Sequence, residues 1–259
     1  MKRRFQFTLT ALLIVVTLAA GACGAASYAY RQHVLANQRK SVIVRLRNAL
    51  TTLHLYNDNF NRLPPATLQS PSGEPMSSWR FIMLPYIEQQ DMEHPENGPF
   101  YNQRWDSPGN ARFARYAPIF SFYSAGTDSA RAQDTSVFAV TGSGTGFDES
   151  TQTSLKELTE DPATRHTILL VEVRSSRTHW MQPGDFDIRT MPRIINEPAG
   201  TGISGTCAGG FCVGFANGDA WMLRNDTPFD TLALFFTIES ARKHDRDKML
   251  GPYRIAVEL

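Results

Sequence analysis

The stretch FQFTLTALLIVVTLAAGACGAASYAY, residues 5–30, decides the architecture of this chain. It contains no charged side chain. As an α-helix it would rise about 39 Å, against about 30 Å for the hydrocarbon core of a bilayer. The apolar core of a secretory signal is shorter, roughly 7–15 residues. The stretch therefore predicts a transmembrane helix.

Basic residues flank this stretch on both sides. Residues 2–4, KRR, form a cluster that the positive-inside rule keeps in the cytoplasm. Arg31 begins a second basic group on the other side, so the charge bias alone is modest. Because the remainder reads as one soluble unit without a second span, we expect a cytoplasmic segment at residues 1–4. After it we expect a transmembrane helix at 5–30 in the cytoplasmic (inner) membrane. An extracytoplasmic, periplasmic domain is expected at 31–259.

Two processing events are alternatives to a permanent anchor. Residues 19–23, AAGAC, resemble a relaxed lipobox, and acylation at Cys23 would cut the chain there and leave no span. Cleavage by signal peptidase I near residues 20–22 is the second alternative. The interpretation that we favour is an uncut anchor.

The helical pattern continues beyond the apolar stretch. The first prolines after it are Pro64 and Pro65, so nothing in the sequence breaks a helix between residues 5 and 61. Its second half is amphipathic, which predicts packing against a soluble domain. Apolar residues recur there at spacings of three, four and seven, namely Leu35, Val42, Leu46, Ala49, Leu53, Tyr56 and Phe60.

Short helices and strands are expected in the rest of the chain. Residues 78–92, SWRFIMLPYIEQQDM, predict an amphipathic helix that breaks near Pro85. A helix over residues 228–242 is expected to begin after Thr227 as its cap. Apolar runs rich in β-branched and aromatic residues predict strands at residues 117–123, 135–142, 166–173 and 211–223.

The last of these runs, FCVGFANGDAWML, contains the strongest turn signal. Asn217-Gly218 predicts a β-hairpin with a type I′ turn. Trp221, on one of its strands, is expected to pack in the core. The fold class expected overall is α+β, with a long N-terminal helix packed on an antiparallel sheet with small helices.

Seven segments in this order resemble a bacterial family catalogued as domain of unknown function 1559 (DUF1559), whose members carry a prepilin-type N-terminus. The resemblance extends from Arg4 to about Arg242, and it implies a fold like that of type IV pilins and pseudopilins. No enzymatic activity is implied by it. The segments are LHLYNDNFNRLPPA, SWRFIMLPYIEQQ, WDSPGN, TSVFAVTGSGTGF, HTILLVEV, HWMQPGDFD and FCVGFANGDAWML.

The N-terminus departs from that family at the two positions on which pilus assembly depends. With Phe7-Thr8-Leu9 aligned, Gln6 stands where the resemblance implies the glycine before the cleavage site, and Ala11 stands at the assembly glutamate. A charge inside the membrane is costly without its partner, so the two losses are consistent with each other. We therefore expect an uncut chain that assembles poorly into a standard pilus.

Three cysteines are present, Cys23, Cys207 and Cys212. The spacing of Cys207 and Cys212, with AGGF between them, is compatible with a short-loop disulfide in an oxidising compartment. Two unpaired small side chains are the alternative. The spacing by itself is not that of a metal site, which needs more ligands.

Signals for catalysis or ligand binding are weak. His54 has no metal-ligand or base partner at a recognisable spacing. Residues 142–146, GSGTG, precede Asp148 and Glu149 rather than a lysine, so a turn is expected in place of a phosphate loop. Carboxylates that would suit calcium are Glu172, Asp185 and Asp187.

The charge composition limits the classes of partner that the protein is expected to bind. The chain has 26 Lys and Arg against 25 Asp and Glu, a net charge of +1, which argues against a nucleic-acid-binding surface. We expect a non-enzymatic envelope protein without a cofactor. Its expected partners are the membrane bilayer and other pilin-like or envelope proteins. An exported lipoprotein, or a tethered ligand-binding or enzymatic domain, is the alternative.

Overall fold

The computed structural model describes residues 8–87, 100–114, 123 and 133–258. Gln6, Phe7 and most of the strand predicted at 117–123 lie outside the described residues. The first described element is helix α1, Leu9–Phe60. The Thr8 hydroxyl caps it by accepting from the Ala11 amide at 3.2 Å, and it ends where Asn61 adopts a left-handed conformation at φ 52°. The single long helix is confirmed over these residues.

Only the second half of α1 is packed on the rest of the protein. Its predicted core positions Val42, Leu46 and Leu53 are buried, and their neighbours on the same face are buried with them. Leu35 is half-buried and Phe60 is 52% exposed, so the packed face is shorter at both ends than the sequence pattern predicted. The helix is longer than the surface on which it packs, so the two ends of its apolar pattern extend past the edges of the sheet.

The sheet under α1 has six strands in the order β5-β3-β4-β6-β7-β8. Neighbouring strands run antiparallel except β3 and β5, which pair in parallel through Val140 and Phe186. The predicted antiparallel sheet is therefore mixed at one edge. Its strands are β3 Val137–Thr141, β4 Ile168–Glu172, β5 Phe186–Asp187, β6 Gly210–Phe215, β7 Ala220–Arg224 and β8 Arg254–Ile255. A separate hairpin joins β1 Thr67–Gln69 to β2 Pro75–Ser78.

Both faces of this sheet are covered, which produces a three-layer domain. Cys212 and Met222 face the layer that contains α1, whereas Phe211 and Trp221 face the opposite layer with the C-terminal helices. This alternation follows from the two-residue repeat of a strand. Gly214 makes the contact with α1 close, since a Cβ there would lie 3.0 Å from Leu50 Cδ1.

The short helices partly differ from the predictions. Proline does interrupt the first segment, which forms α2 Trp79–Ile82 and α3 Leu84–Ile87. The predicted helix at 228–242 was wrong, because it is two helices, α5 Phe229–Ala233 and α6 Ile238–Lys243. Thr237 caps α6 by accepting from Ser240 N, whereas the Thr227 hydroxyl donates to a carbonyl instead. The other described α-helices are α4 Leu155–Glu160 and α7 Arg246–Met249.

The hairpin between β6 and β7 is confirmed, but the predicted turn type was wrong. A type I′ turn needs positive φ at both central residues, and here Gly218 has φ 84° while Asn217 does not have a positive φ. The Gly218 amide donates to Phe215 O at 3.0 Å, and Phe215 N donates to Asp219 O at 2.8 Å. These bonds enclose a three-residue loop, in which only the last residue needs the left-handed conformation.

Candidate functional site

The first half of α1 exposes a long apolar surface. Its large apolar side chains face outward from Leu9, which is 74% exposed, to Tyr30, which is 70% exposed. An 18-residue window of this helix has a mean hydropathy of 2.2, and none of it is buried against the protein. Ala11 and Cys23 both lie in this part of the helix. By length and composition this segment can cross a membrane.

The interior of the domain contains a buried ion pair that joins two distant segments. Arg80 Nη1 lies 2.8 Å from Asp185 Oδ1, with side-chain exposures of 0% and 4%. The same oxygen accepts from Trp79 Nε1 at 3.1 Å and from Ala139 N at 2.7 Å. Burial raises the pKa of the Asp185 carboxyl, and the Arg80 charge and these hydrogen bonds oppose that rise.

All the guanidinium nitrogens of Arg80 donate hydrogen bonds to groups within the domain. Its charge also lies over two aromatic rings, 5.4 Å from the Trp79 centroid and 5.3 Å from that of Phe138. Such a fork of donors suits a buried arginine, because planar N–H groups can satisfy several acceptors together. The remaining N–H groups donate to the backbone carbonyls of Val137, Trp180, Gln182 and Gly184.

A second buried carboxylate, Glu172, lies at the end of β4. Its residue type had made it a candidate calcium ligand in the sequence. Glu172 Oε2 accepts from Cys212 N at 2.8 Å, and Oε1 accepts from the amide and hydroxyl of Thr206. Burial raises the pKa of Glu172, and these bonds and the charge of Arg45 on α1 oppose the rise. Glu172 therefore fixes the loop before β6 to the sheet and supplies the charge that faces Arg45.

Calcium candidates are not brought together. Asp185 is buried against Arg80, while Asp187 forms an exposed ion pair with Arg189 at 2.6 Å. Glu172 is held by the loop before β6. Within the described ranges, no group of three His, Cys, Asp or Glu residues is arranged to hold a metal ion.

Cys207 and Cys212 lie in the same region as Glu172, and both are buried free thiols in the structure. Burial and the nearby Glu172 carboxylate raise the pKa of Cys207 to about 11. The pKa of Cys212 is also well above its ordinary value, for the same reasons. The thiolates that would form a disulfide are thus scarce in the folded state. The disulfide stays a prediction.

The glycine-rich turn satisfies its own backbone. It follows β3, and Asp148 Oδ2 accepts from Gly144 N at 2.7 Å. Asp148 Oδ1 accepts from the amide and hydroxyl of Ser150 at 2.9 and 2.6 Å. These hydrogen bonds lower the pKa of Asp148. The Asp148 carboxylate thus accepts from an amide that would otherwise be available to a phosphate, as expected for a turn rather than a phosphate loop.

A cleft of about 290 Å³ opens beside this turn. One wall is the segment from Arg62 to Gln69, which includes β1, and the other includes residues 146–149. The Leu63 amide donates to Thr153 O at 3.0 Å and ties the walls together at one end. The cleft has the size for a small ligand or a few residues of a peptide.

Residues 45–170 match the family model described as "Protein of unknown function (DUF1559)". This match agrees with the family that the sequence segments resemble. The match is shorter than the resemblance in the sequence, which also covered the N-terminus, HWMQPGDFD and FCVGFANGDAWML. No curated protein and no solved structure matches the chain.

Buried contacts join several of the segments that carry the resemblance. Arg80, from the segment SWRFIMLPYIEQQ, pairs with Asp185 from HWMQPGDFD. Glu172, from HTILLVEV, accepts from the amide of Cys212 in FCVGFANGDAWML. Asn57, at the end of α1, accepts from Leu155 N at 2.8 Å. Sequence reasoning missed the contacts of Arg80 with Asp185 and of Glu172 with Cys212, although a charged residue inside an apolar run was the available signal.

His54 occupies a structural position. It lies on α1 and its Nε2 contacts Ala216 O, at the hairpin loop, at 2.9 Å. This contact connects α1 to the end of β6. Nothing in it requires the imidazole to act as a base.

Proposed function

We propose that this protein is a single-pass, membrane-anchored envelope protein that acts by binding other proteins and has no enzymatic activity. The observation that carries the proposal is the division of α1. Its first half exposes apolar side chains over about 32 Å, from Leu9 to Tyr30, which matches the thickness of a bilayer core. Its second half is part of the core of the domain.

The same division supports a pilin-like arrangement. The described backbone of α1 has no break. A helix that leaves the bilayer and then packs on the sheet therefore joins the anchor and the domain as one rigid unit. Its partners are then other pilin-like or envelope proteins that pack beside the exposed helix. The domain lies outside the cytoplasmic membrane, with residues 1–4 inside.

Protease treatment of spheroplasts tests the orientation. The domain from residue 31 onward is expected to be digested in intact spheroplasts, and the protein is expected to stay in the membrane after alkaline carbonate extraction. Protection of the domain until the spheroplasts are lysed would overturn the orientation. Release by carbonate would overturn the anchor.

Crosslinking within the membrane tests the partners. A photoreactive residue in place of Val15 faces outward from α1 and is expected to form an adduct with another single-pass protein in native membranes. The same residue in place of Val44, which is exposed beyond the span, provides the matched position outside the bilayer. Adducts to lipid alone at residue 15 would contradict helix packing between subunits.

A tethered ligand-binding domain is the second candidate, and the cleft of about 290 Å³ favours it. Mass spectrometry of small molecules released from the denatured, membrane-purified protein tests it. A molecule that is retained by the natural chain and lost after Thr67→Trp, which fills the cleft wall, would support this function. Equal retention by both chains would contradict it.

A further inference from the structure

The part of α1 that follows the exposed apolar segment is unusually basic. Between Tyr30 and Asp58 the helix has no acidic residue. Like charges that lie close together on one helix repel one another, and an anion bound near them relieves this repulsion. The helix presents Arg31, Arg39, Lys40, Arg45 and Arg47 in this interval.

Two of these cations line a groove at the end of the domain that is nearest to the apolar segment. Its volume is about 540 Å³, and it lies between α1 and the chain that follows β8. Arg39 and Lys40 form the α1 side, together with Asn37. Glu258 is the acid on the opposite side, so among the described lining residues two cations face one carboxylate.

The guanidinium of Arg39 is only partly used by the protein. Its Nη2 donates to Ala208 O at 3.3 Å. Its Nε is buried and has no hydrogen-bond acceptor in the part of the chain that the structure describes. Such a donor is costly to leave unpaired. Arg45 also has buried donors without an acceptor among the described residues, its Nε and Nη1, but the charge of the buried Glu172 compensates its charge inside the domain.

The groove lies near the lipid headgroups along α1, within reach of long side chains. Arg39 lies about 14 Å beyond Tyr30 along the helix axis. Side chains of a helix lean toward its N-terminus, so those of Arg39 and Lys40 reach back toward the headgroup layer, which is about 5–8 Å thick. A helix tilt of about 20° lowers them further.

We propose that this groove binds the phosphate of an anionic phospholipid from the leaflet in which α1 ends. The Arg39 guanidinium group and the Lys40 ammonium group donate to the phosphate oxygens, while Val257 forms part of the opposite wall. The proposal rests on the membrane anchoring proposed above. Each cation near an anionic surface strengthens binding by about fivefold, so we expect about 25-fold for the pair.

Lipid retention by the full chain tests the proposal. The protein in mild detergent is mixed with equal amounts of phosphatidylglycerol and phosphatidylcholine, purified again, and its bound lipids are counted by mass spectrometry. We expect phosphatidylglycerol to exceed phosphatidylcholine at least fivefold. In the variant R39Q/K40Q we expect the ratio to return to that of the mixture.

A matched variant controls for the loss of charge. R242Q/K248Q removes one arginine and one lysine that are exposed on α6 and α7, and we expect it to keep the preference of the natural chain. Equal loss of preference in both variants would show general electrostatic attraction and overturn the groove. Circular dichroism of each variant verifies that the fold is intact.

The remaining outcomes separate this proposal from the anchor. Retention of both lipids at the input ratio by the natural chain would leave the anchor standing and overturn the headgroup site. Failure to retain any lipid, with a chain that stays in solution without detergent, would overturn both. Displacement of phosphatidylglycerol by millimolar inorganic phosphate would indicate a site for free anions and overturn the lipid assignment.

Discussion

Removal of one partner of the buried ion pair should destabilise the whole domain. Asp185→Ala leaves the Arg80 guanidinium buried at 0% exposure with only backbone carbonyls as partners. It also leaves Trp79 Nε1 and Ala139 N without their acceptor. Breaking a buried pair in this way costs about 3–5 kcal/mol, a large share of the about 5–15 kcal/mol that stabilises a typical domain.

Urea unfolding of the full chain in mild detergent measures this cost. Trp79 and Trp180 are buried beside Arg80, so tryptophan fluorescence reports on the region that changes. The control is Asp230→Ala, which removes an ion pair with Arg193 at 2.6 Å whose side chains are 83% and 70% exposed. We expect the control to lower the free energy of unfolding by about 1 kcal/mol or less.

A double variant distinguishes an unpaired charge from lost packing. Arg80→Met together with Asp185→Leu removes both charges, and we expect it to recover a large part of the stability lost in Asp185→Ala, since an apolar pair of similar volume often replaces a buried ion pair without cost. A cost below about 1 kcal/mol for Asp185→Ala alone would refute the reasoning. So would a double variant less stable than the single variant.

Three further predictions concern acid sensitivity, helix packing and thiol reactivity. Burial lowers the pKa of His179 to about 4, below the value in the unfolded chain, so the free energy of unfolding should fall as the pH falls from about 6.5 to 4. In urea titrations, His179→Gln should flatten this pH dependence. Gly214→Val should lower the free energy of unfolding by about 1–3 kcal/mol because its side chain meets Leu50, whereas Gly251→Ala, in open space, should change it by less than about 1 kcal/mol. Because burial raises the pKa of Cys207 to about 11, iodoacetamide at pH 8 should modify it only after unfolding, as mass mapping would show, and rapid labelling of the folded chain would contradict this.

The elements that the sequence predicted correctly have local causes. The charge-free stretch and the spacing from Val42 to Tyr56 predict α1, because a helical face repeats within a few residues. Asn217-Gly218 predicts the hairpin, but its turn type depends on how many residues the two strands leave unpaired. The break at Pro85 follows from the missing amide of proline.

Features that the sequence did not predict depend on contacts between distant residues. Arg80 and Asp185 are 105 positions apart, and no local pattern pairs them. The parallel strand β5 has two residues, too few for a periodic signal. The groove at Arg39 forms only where α1 meets the chain after β8. For the same reason, the charge of Arg39 was visible in the sequence but its unpaired donor was not.

The intact mass of the protein purified from native membranes tests the central claim most directly. An uncut anchor predicts the mass of all 259 residues. Loss of residues 1–6 would show that processing occurs despite Gln6 at the cleavage position. A chain that begins at Cys23 and carries a lipid mass would contradict the account, because the first half of α1 would then be absent from the mature protein.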